Sequence, residues 1–296
     1  VLAVVSELEH MGFAVKGSNA GITSDLPIGA GVSSSAAVEC ATVFALNELF
    51  ELQLEKLNMV KIAQKAEHNF AGVMCGIMDQ FASMMGKKDH CIKLDCRSLE
   101  FEYVPLKLEG YSVVLLNTNV KHSLASTAYN TRRNECAAGV EMIQKYLPEI
   151  NSLRDVTEQM LDQYVLPADA LIDKRSRFII QETARLQQAC DDLKKGNLTA
   201  LGQKMFATHE GLSKDYEVSC KELDYLVDAV KNEPGVIGAR MMGGGFGGCT
   251  INLVKHEKVD PLVEKLSIAY LSHTGLTLTA YTIGIEDGTG FVTDYQ

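Results

Sequence analysis

Between Ser35 and Leu49 the apolar positions Ala37, Val38, Ala41, Phe44 and Ala45 recur at three- and four-residue steps, which predicts a helix. A second helical pattern runs from about Lys56 to Ala71. The period then changes. "HCIKLDC" and "LEFEYVPL" read as short strands on either side of turn-forming Arg97 and Ser98, and "YSVVLLNTNV" reads as a buried strand after Gly110. From about Ser126 to Asn232 the pattern is helical again, interrupted at "LPEINSLRD" and "KKGNLTA". The last third carries strand-like "GVIGARMM", a glycine-rich loop, "CTINLV", a helix near Pro261 to His273 and β-rich "TLTAYTIGI". This order predicts an α+β chain of two lobes with a boundary near residues 105 to 120, and we divide it into 1–112 and 113–296.

Composition narrows the function classes. The 296 residues are 46% hydrophobic and 22% charged, enough for a substantial core, and carry a formal charge of -10 with no Lys/Arg cluster. An acidic chain without a basic stripe argues against a nucleic-acid or anionic-membrane partner. No apolar run reaches the length of a bilayer span. Eight cysteines without a CxxC pair read as reduced thiols of a cytoplasmic protein, not as a disulfide framework or a zinc site. The opening "VLAVVSELEHMGF" starts without Met inside a helix-like pattern, and Glu7 and Glu9 break it as a signal peptide. The chain is therefore expected to be a fragment whose N-terminal lobe is truncated.

Three segments carry candidate chemistry. In "PIGAGVSSSAA", Gly29 and Gly31 can take positive φ, and Ser33, Ser34 and Ser35 fall at the cap and first turn of the predicted helix. Free N–H groups, the positive end of the helix dipole and the hydroxyls together suit a phosphate, and one hydroxyl can also ligate Mg²⁺. The loop fits neither GxxxxGK[ST] nor GxGxxG. A nucleotide's cation needs a carboxylate, for which Glu67 in "QKAEHNFAG" is a candidate. Asp79 in "CGIMDQF" is set among apolar residues, as a catalytic base or a paired carboxylate would be. In "MMGGGFGGC", five glycines in six positions exceed the needs of a turn and suggest close backbone approach to a ligand. His68 and His122 lack ligand spacing and are read as structural.

These segments resemble the GHMP kinases, a superfamily of small-molecule kinases: "LPIGAGVSSSAA" its second motif and "RMMGGGFGGCT" its third. Within it, "AEHNFAGVMCGIMDQFASMMGKKDHCIKLDCRSLE", "NTNVKHSLASTAYNTRRNEC" and "DYEVSCKELDYLV" resemble the galactokinase family, and the likeness spans essentially the whole chain. The resemblance implies a two-lobed GHMP kinase fold and ATP-dependent phosphorylation of the anomeric C1 hydroxyl of galactose. It implies that Gly29, Gly31, Ser33, Ser34 and Ser35 cradle the ATP phosphates and that Ser35 and Glu67 hold Mg²⁺. Asp79 matches the catalytic aspartate at the C1 hydroxyl, with Gly76 and Tyr129 at the sugar. The loop of Gly243, Gly244, Gly245 and Gly247 is expected to close over the same cleft.

Two departures stand out. The family's first motif, of the form "GRxNLIGEHTDY", is absent, which implies loss of half of the sugar pocket and an impaired fragment. Met242 stands where the family usually has Thr. A kinase for another sugar such as N-acetylgalactosamine, or a non-catalytic sensor of galactose and ATP, are the alternatives. The expected partners are galactose and ATP, with the protein a monomer.

Overall fold

In the computed structural model, residues 1–26, 31–72, 75–120 and 125–292 are described. The chain divides into two compact units: Val1–Lys107 together with the segment from Gly284 onward, and Leu108–Ile283.

The first unit is mainly helical. α1 (Leu2–His10), α2 (Ser34–Phe50), α3 (Lys56–Ala66) and α4 (Met78–Met85) enclose a core that includes Leu8, Val43, Ile62, Phe81 and Met84. The hairpin β1 (His90–Leu94) and β2 (Phe101–Pro105) pairs antiparallel with His90 opposite Pro105. It is tied to α4 by the edge-to-face pair Phe81–Phe101, with ring centroids 5.2 Å apart. The helical period around Lys56–Ala71 is present, but its last turn is a π-helix over Glu67–Ala71, closed by Gly72 N–H donating to Glu67 O. α4 was not predicted by the period, since only eight residues carry it.

The second unit is built on an antiparallel sheet of β3 (Tyr111–Asn117), β4 (Val236–Met241), β5 (Cys249–Lys255) and β6 (Thr279–Ile283), in the order β4-β5-β3-β6. Its helices are α5 (Ala125–Gln144), α6 (Glu158–Tyr164), α7 (Ala170–Lys194), α8 (Leu198–Lys214), α9 (Lys221–Val230) and α10 (Val259–Thr274). Val114 and Leu116 of β3 pack with α9 and α10 through Leu226, Leu266 and Tyr270. Val113 points the other way, toward Met205 of α8. Because both faces are covered, "VVLL" is an unbroken apolar run and not an alternating one. α5, α6 and α7 form a separate cluster around Ile143, Leu161 and Ile172.

The division after Lys107 lies within the expected interval of residues 105 to 120 but ahead of the cut at 112/113, which falls inside β3. The return of the chain from Gly284 to the first unit also differs from the assignment of 113–296 to one lobe. Its cause is backbone pairing: Gly288 N–H donates to Gly86 O at 2.9 Å, and Thr289 N–H to Ser83 O at 2.9 Å. Gly86 and Gly288 approach so closely that a Cβ on Gly288 would lie 2.6 Å from Gly86 N.

Candidate active site

Each unit carries one group of the singled-out residues. In the first unit, the serine run opens α2. Ser33 is the N-cap in the left-handed region, φ 56°, and makes no side-chain cap hydrogen bond. Gly31 is also left-handed, φ 74°. The first-turn N–H groups of α2 are thus left without a side-chain cap, and the side chain of Ser35 is exposed beside them. Gly29 lies outside the described residues, as does His122.

One turn beyond Ser35 on the same face of α2 comes Glu39, 9% exposed. Its carboxyl meets that of Glu67, the first residue of the π turn, and Glu39 Oε2 accepts from Gln80 Nε2 at 3.3 Å. Burial, and after it the neighbouring Glu67 carboxyl, push Glu39 up to about 8. Glu67 Oε2 and Gln80 Oε1 are buried, with no partner apart from the Glu39 carboxyl that meets Glu67. The two carboxyls of Glu39 and Glu67, with Glu39 one turn along α2 from the Ser35 hydroxyl, make an all-oxygen set of the kind that suits a hard divalent cation. Among the described residues no cluster of three acidic, histidine or cysteine ligands exists.

Asp79 is the second residue of α4 and half-buried. The strand of chain before it is held by the Cys75 carbonyl, which accepts from Gln64 Nε2 at 3.2 Å and meets His68 Nε2 at 2.8 Å. The structural reading of His68 is what the geometry gives. Gly76, between this anchor and α4, is exposed, and a Cβ there would meet nothing within 4 Å. Asn69 Nδ2 donates to Glu7 Oε1 at 2.8 Å, fastening the π turn to α1.

In the second unit, Tyr129 on α5 is 42% exposed and its ring lies against the glycine loop, 3.7 Å from a Cβ built on Gly244. That loop joins β4 to β5 and is braced along its length. Met242 N–H donates to Cys249 O at 3.0 Å, and Phe246 N–H donates to Val218 O at 2.7 Å. Thr118 donates to Gly248 O through both its N–H, at 2.9 Å, and its hydroxyl, at 2.8 Å. Gly245 is required by the protein's own backbone, since a Cβ there would collide with the Val218 carbonyl and φ is 85°. Gly243 and Gly244 meet no such wall, and Gly247 has φ 137°.

The 215–219 segment that braces the loop is itself fixed to α5 and α7. Arg175, 2% exposed, reaches Glu217 Oε2 at 2.7 Å and Glu135 Oε2 at 3.4 Å and donates to Asp215 O. Arg132 reaches the same Glu135 Oε2 at 2.6 Å. The Arg175 guanidinium beside it holds Glu217 below the usual carboxylate range. Sequence reasoning did not single out Glu39, Gln80, Gln64 or Arg175. A sequence signal exists only for Glu39, an acid inside "AAVECATVF".

Among the described residues no disulfide joins any of the eight cysteines, and no described helix is long and apolar enough to cross a membrane.

The comparisons extend these observations. Residues 1–87 match the GHMP kinases N terminal domain and residues 189–271 the GHMP kinases C terminal domain. The chain is 43% identical over 288 residues to the galactokinase of Thermotoga petrophila, covering 97% of this chain and 80% of that protein. It is 42% identical over 283 residues to the galactokinase of Limosilactobacillus fermentum, covering 95% and 73%. The crystal structure of Lactococcus lactis galactokinase complexed with galactose superposes with a TM-score of 0.88 at 34% identity, covering 97% of this chain and 74% of that one. L. major mevalonate kinase, at 19% identity and a TM-score of 0.60, shares the fold.

Proposed function

The chain belongs to the galactokinase family of the GHMP kinases, and from that premise we propose that it transfers the γ-phosphoryl group of ATP to the C1 hydroxyl of galactose. The observation that carries this reading is the 0.88 superposition on a galactokinase with galactose bound, together with 40–44% identity to galactokinases across nearly the whole chain.

We assign the uncapped start of α2, with Gly29, Gly31 and Ser33 to Ser35, to the phosphates of ATP. Ser35 and Glu67 are the residues that would hold Mg²⁺, supported by the buried Glu67 oxygen beside the Glu39 carboxyl. When bound, the cation supplies neutralisation of charge on the transferring phosphoryl group. Asp79 orients the C1 hydroxyl and takes its proton as the O1–phosphorus bond forms and the bond from the γ-phosphorus to the β-phosphate oxygen breaks, releasing ADP. Phosphoryl transfer asks the protein mainly for position and charge, so no covalent enzyme intermediate is needed. Gly76 and Tyr129 are assigned to the sugar, and Gly243, Gly244, Gly245 and Gly247 to the adjoining loop. The protein acts as a cytoplasmic monomer in this reading.

A sugar panel with ATP and magnesium tests the assignment. Galactose is expected to turn over at least about tenfold better than N-acetylgalactosamine in kcat/KM, and the reverse order would replace the substrate. Glu67→Gln is expected to raise the magnesium concentration for half-maximal activity by about tenfold or more; an unchanged requirement would remove Glu67 from the cation.

A further inference from the structure

β4 is an outer strand of its sheet, so alternate N–H groups along it point away from β5. At Met241, the last residue of β4 before the glycine loop, that N–H is buried with its residue. An unpaired N–H there would be costly. It is met from α8: His209, 6% exposed, accepts the Met241 N–H on Nδ1 at 3.1 Å. The ring proton is therefore on Nε2, which faces Asp224 Oδ1 of α9 at 3.2 Å. Asp224 also accepts from Ser219 Oγ at 2.6 Å and Ser213 Oγ at 2.9 Å.

The approach is built into the helix packing. A Cβ on Gly202 of α8 would collide with the Ile237 carbonyl of β4, and one on Gly238 would lie 2.5 Å from Gly202 Cα. α8 thus lies backbone to backbone on the strand, and the imidazole two turns along reaches its last edge N–H. An apolar side chain of similar size would fill the same space and leave that donor orphaned.

We propose that His209 is a positioning residue for phosphoryl transfer: held in its Nε2–H tautomer by Asp224, it fixes through Nδ1 the point where β4 enters the glycine loop. The proposal rests on the reading above for the loop's place at the substrate. It makes Ser219 and Asp224, within the segment 215–227 singled out in sequence only as a resemblance, the orienting half of a His–Asp brace.

Three variants separate the two ring nitrogens. His209→Asn keeps an acceptor near the Nδ1 position, His209→Gln keeps a donor near the Nε2 position, and His209→Leu keeps neither. In the ligand-free protein, amide hydrogen exchange across 241–249 is expected to rise about fivefold to thirtyfold in His209→Leu and His209→Gln, and to stay within about twofold in His209→Asn. The value of kcat/KM for galactose should fall with the Gln variant and recover in the Asn variant, a split that simple loss of core volume would not produce. Equal loop exchange in the Asn and Gln variants would overturn the proposal, and that pair decides it even where His209→Leu does not fold. The exchange experiment needs no substrate. If the unsubstituted protein failed to phosphorylate galactose while the exchange pattern held, the functional reading would fall and the loop brace would stand.

Discussion

At Asp224 burial raises the carboxyl's proton affinity, and hydrogen bonds from His209, Ser219 and Ser213 lower it by more, so it lies below the ordinary carboxylate value. A depressed folded value contributes stability that is present above the unfolded value near 3.8 and lost as pH falls through the folded one. Asp224→Asn should therefore cost about 1–2 kcal/mol at pH 7 and flatten the loss of stability below about pH 4. Urea melts at pH 7, 4 and 3 check this, and an undiminished acid slope in the variant would contradict it. Ser35 could be singled out from the glycine–serine run at a helix start and Asp79 from its apolar neighbours, whereas Glu67 was a candidate only as a carboxylate that a nucleotide's cation would need. Gln80 and His209 were not, since their partners lie 41 and 32 residues away and only the fold brings them together.

At the scale of elements, the period of apolar residues found the strands and the helical blocks, because each buries one face or two, but it missed α4 and did not separate α6 from α7 or α8 from α9. It could not see that α3 loosens into a π turn at Glu67, since i+4 and i+5 spacings are indistinguishable over five residues. That turn aims Glu67 at Glu39 and supplies His68 to the Cys75 carbonyl, so the part unseen in sequence is the part that shapes the site. The glycine loop was legible as a site for close approach. For Gly245 the approaching group proves to be the protein's own Val218 carbonyl. Gly245→Ala should cost about 2 kcal/mol or more, from positive φ and the clash together, whereas Gly243→Ala should cost only the φ term of about 1 kcal/mol. Thermal melts of the two variants test this; equal losses would mean that the Val218 contact does not constrain the loop.

For the whole molecule, two α+β units follow from alternating helical and strand-like blocks, and the division after Lys107 falls within the expected interval of residues 105 to 120. The pattern could not show that the chain returns to its first unit. Beyond the backbone pairing of Gly288 and Thr289, Lys56 Nζ donates to Thr289 O at 2.8 Å, and Phe291 meets Phe44 edge-to-face at 5.4 Å. Ending the chain at Ile283 should destabilise the first unit by about 2–4 kcal/mol and leave the second unchanged. Hydrogen exchange resolved by peptide would show faster exchange in α2 to α4 alone; a uniform rise in both units would contradict the division. The central claim is that galactose is phosphorylated at C1 with Asp79 at the reacting hydroxyl. Its most direct test is NMR of the sugar product formed from galactose, ATP and magnesium, run on the protein and on Asp79→Asn. The account predicts galactose 1-phosphate from the protein and a kcat about 10²–10⁴ lower in the variant. Phosphate on any other carbon, or an undiminished rate in Asp79→Asn, would contradict it.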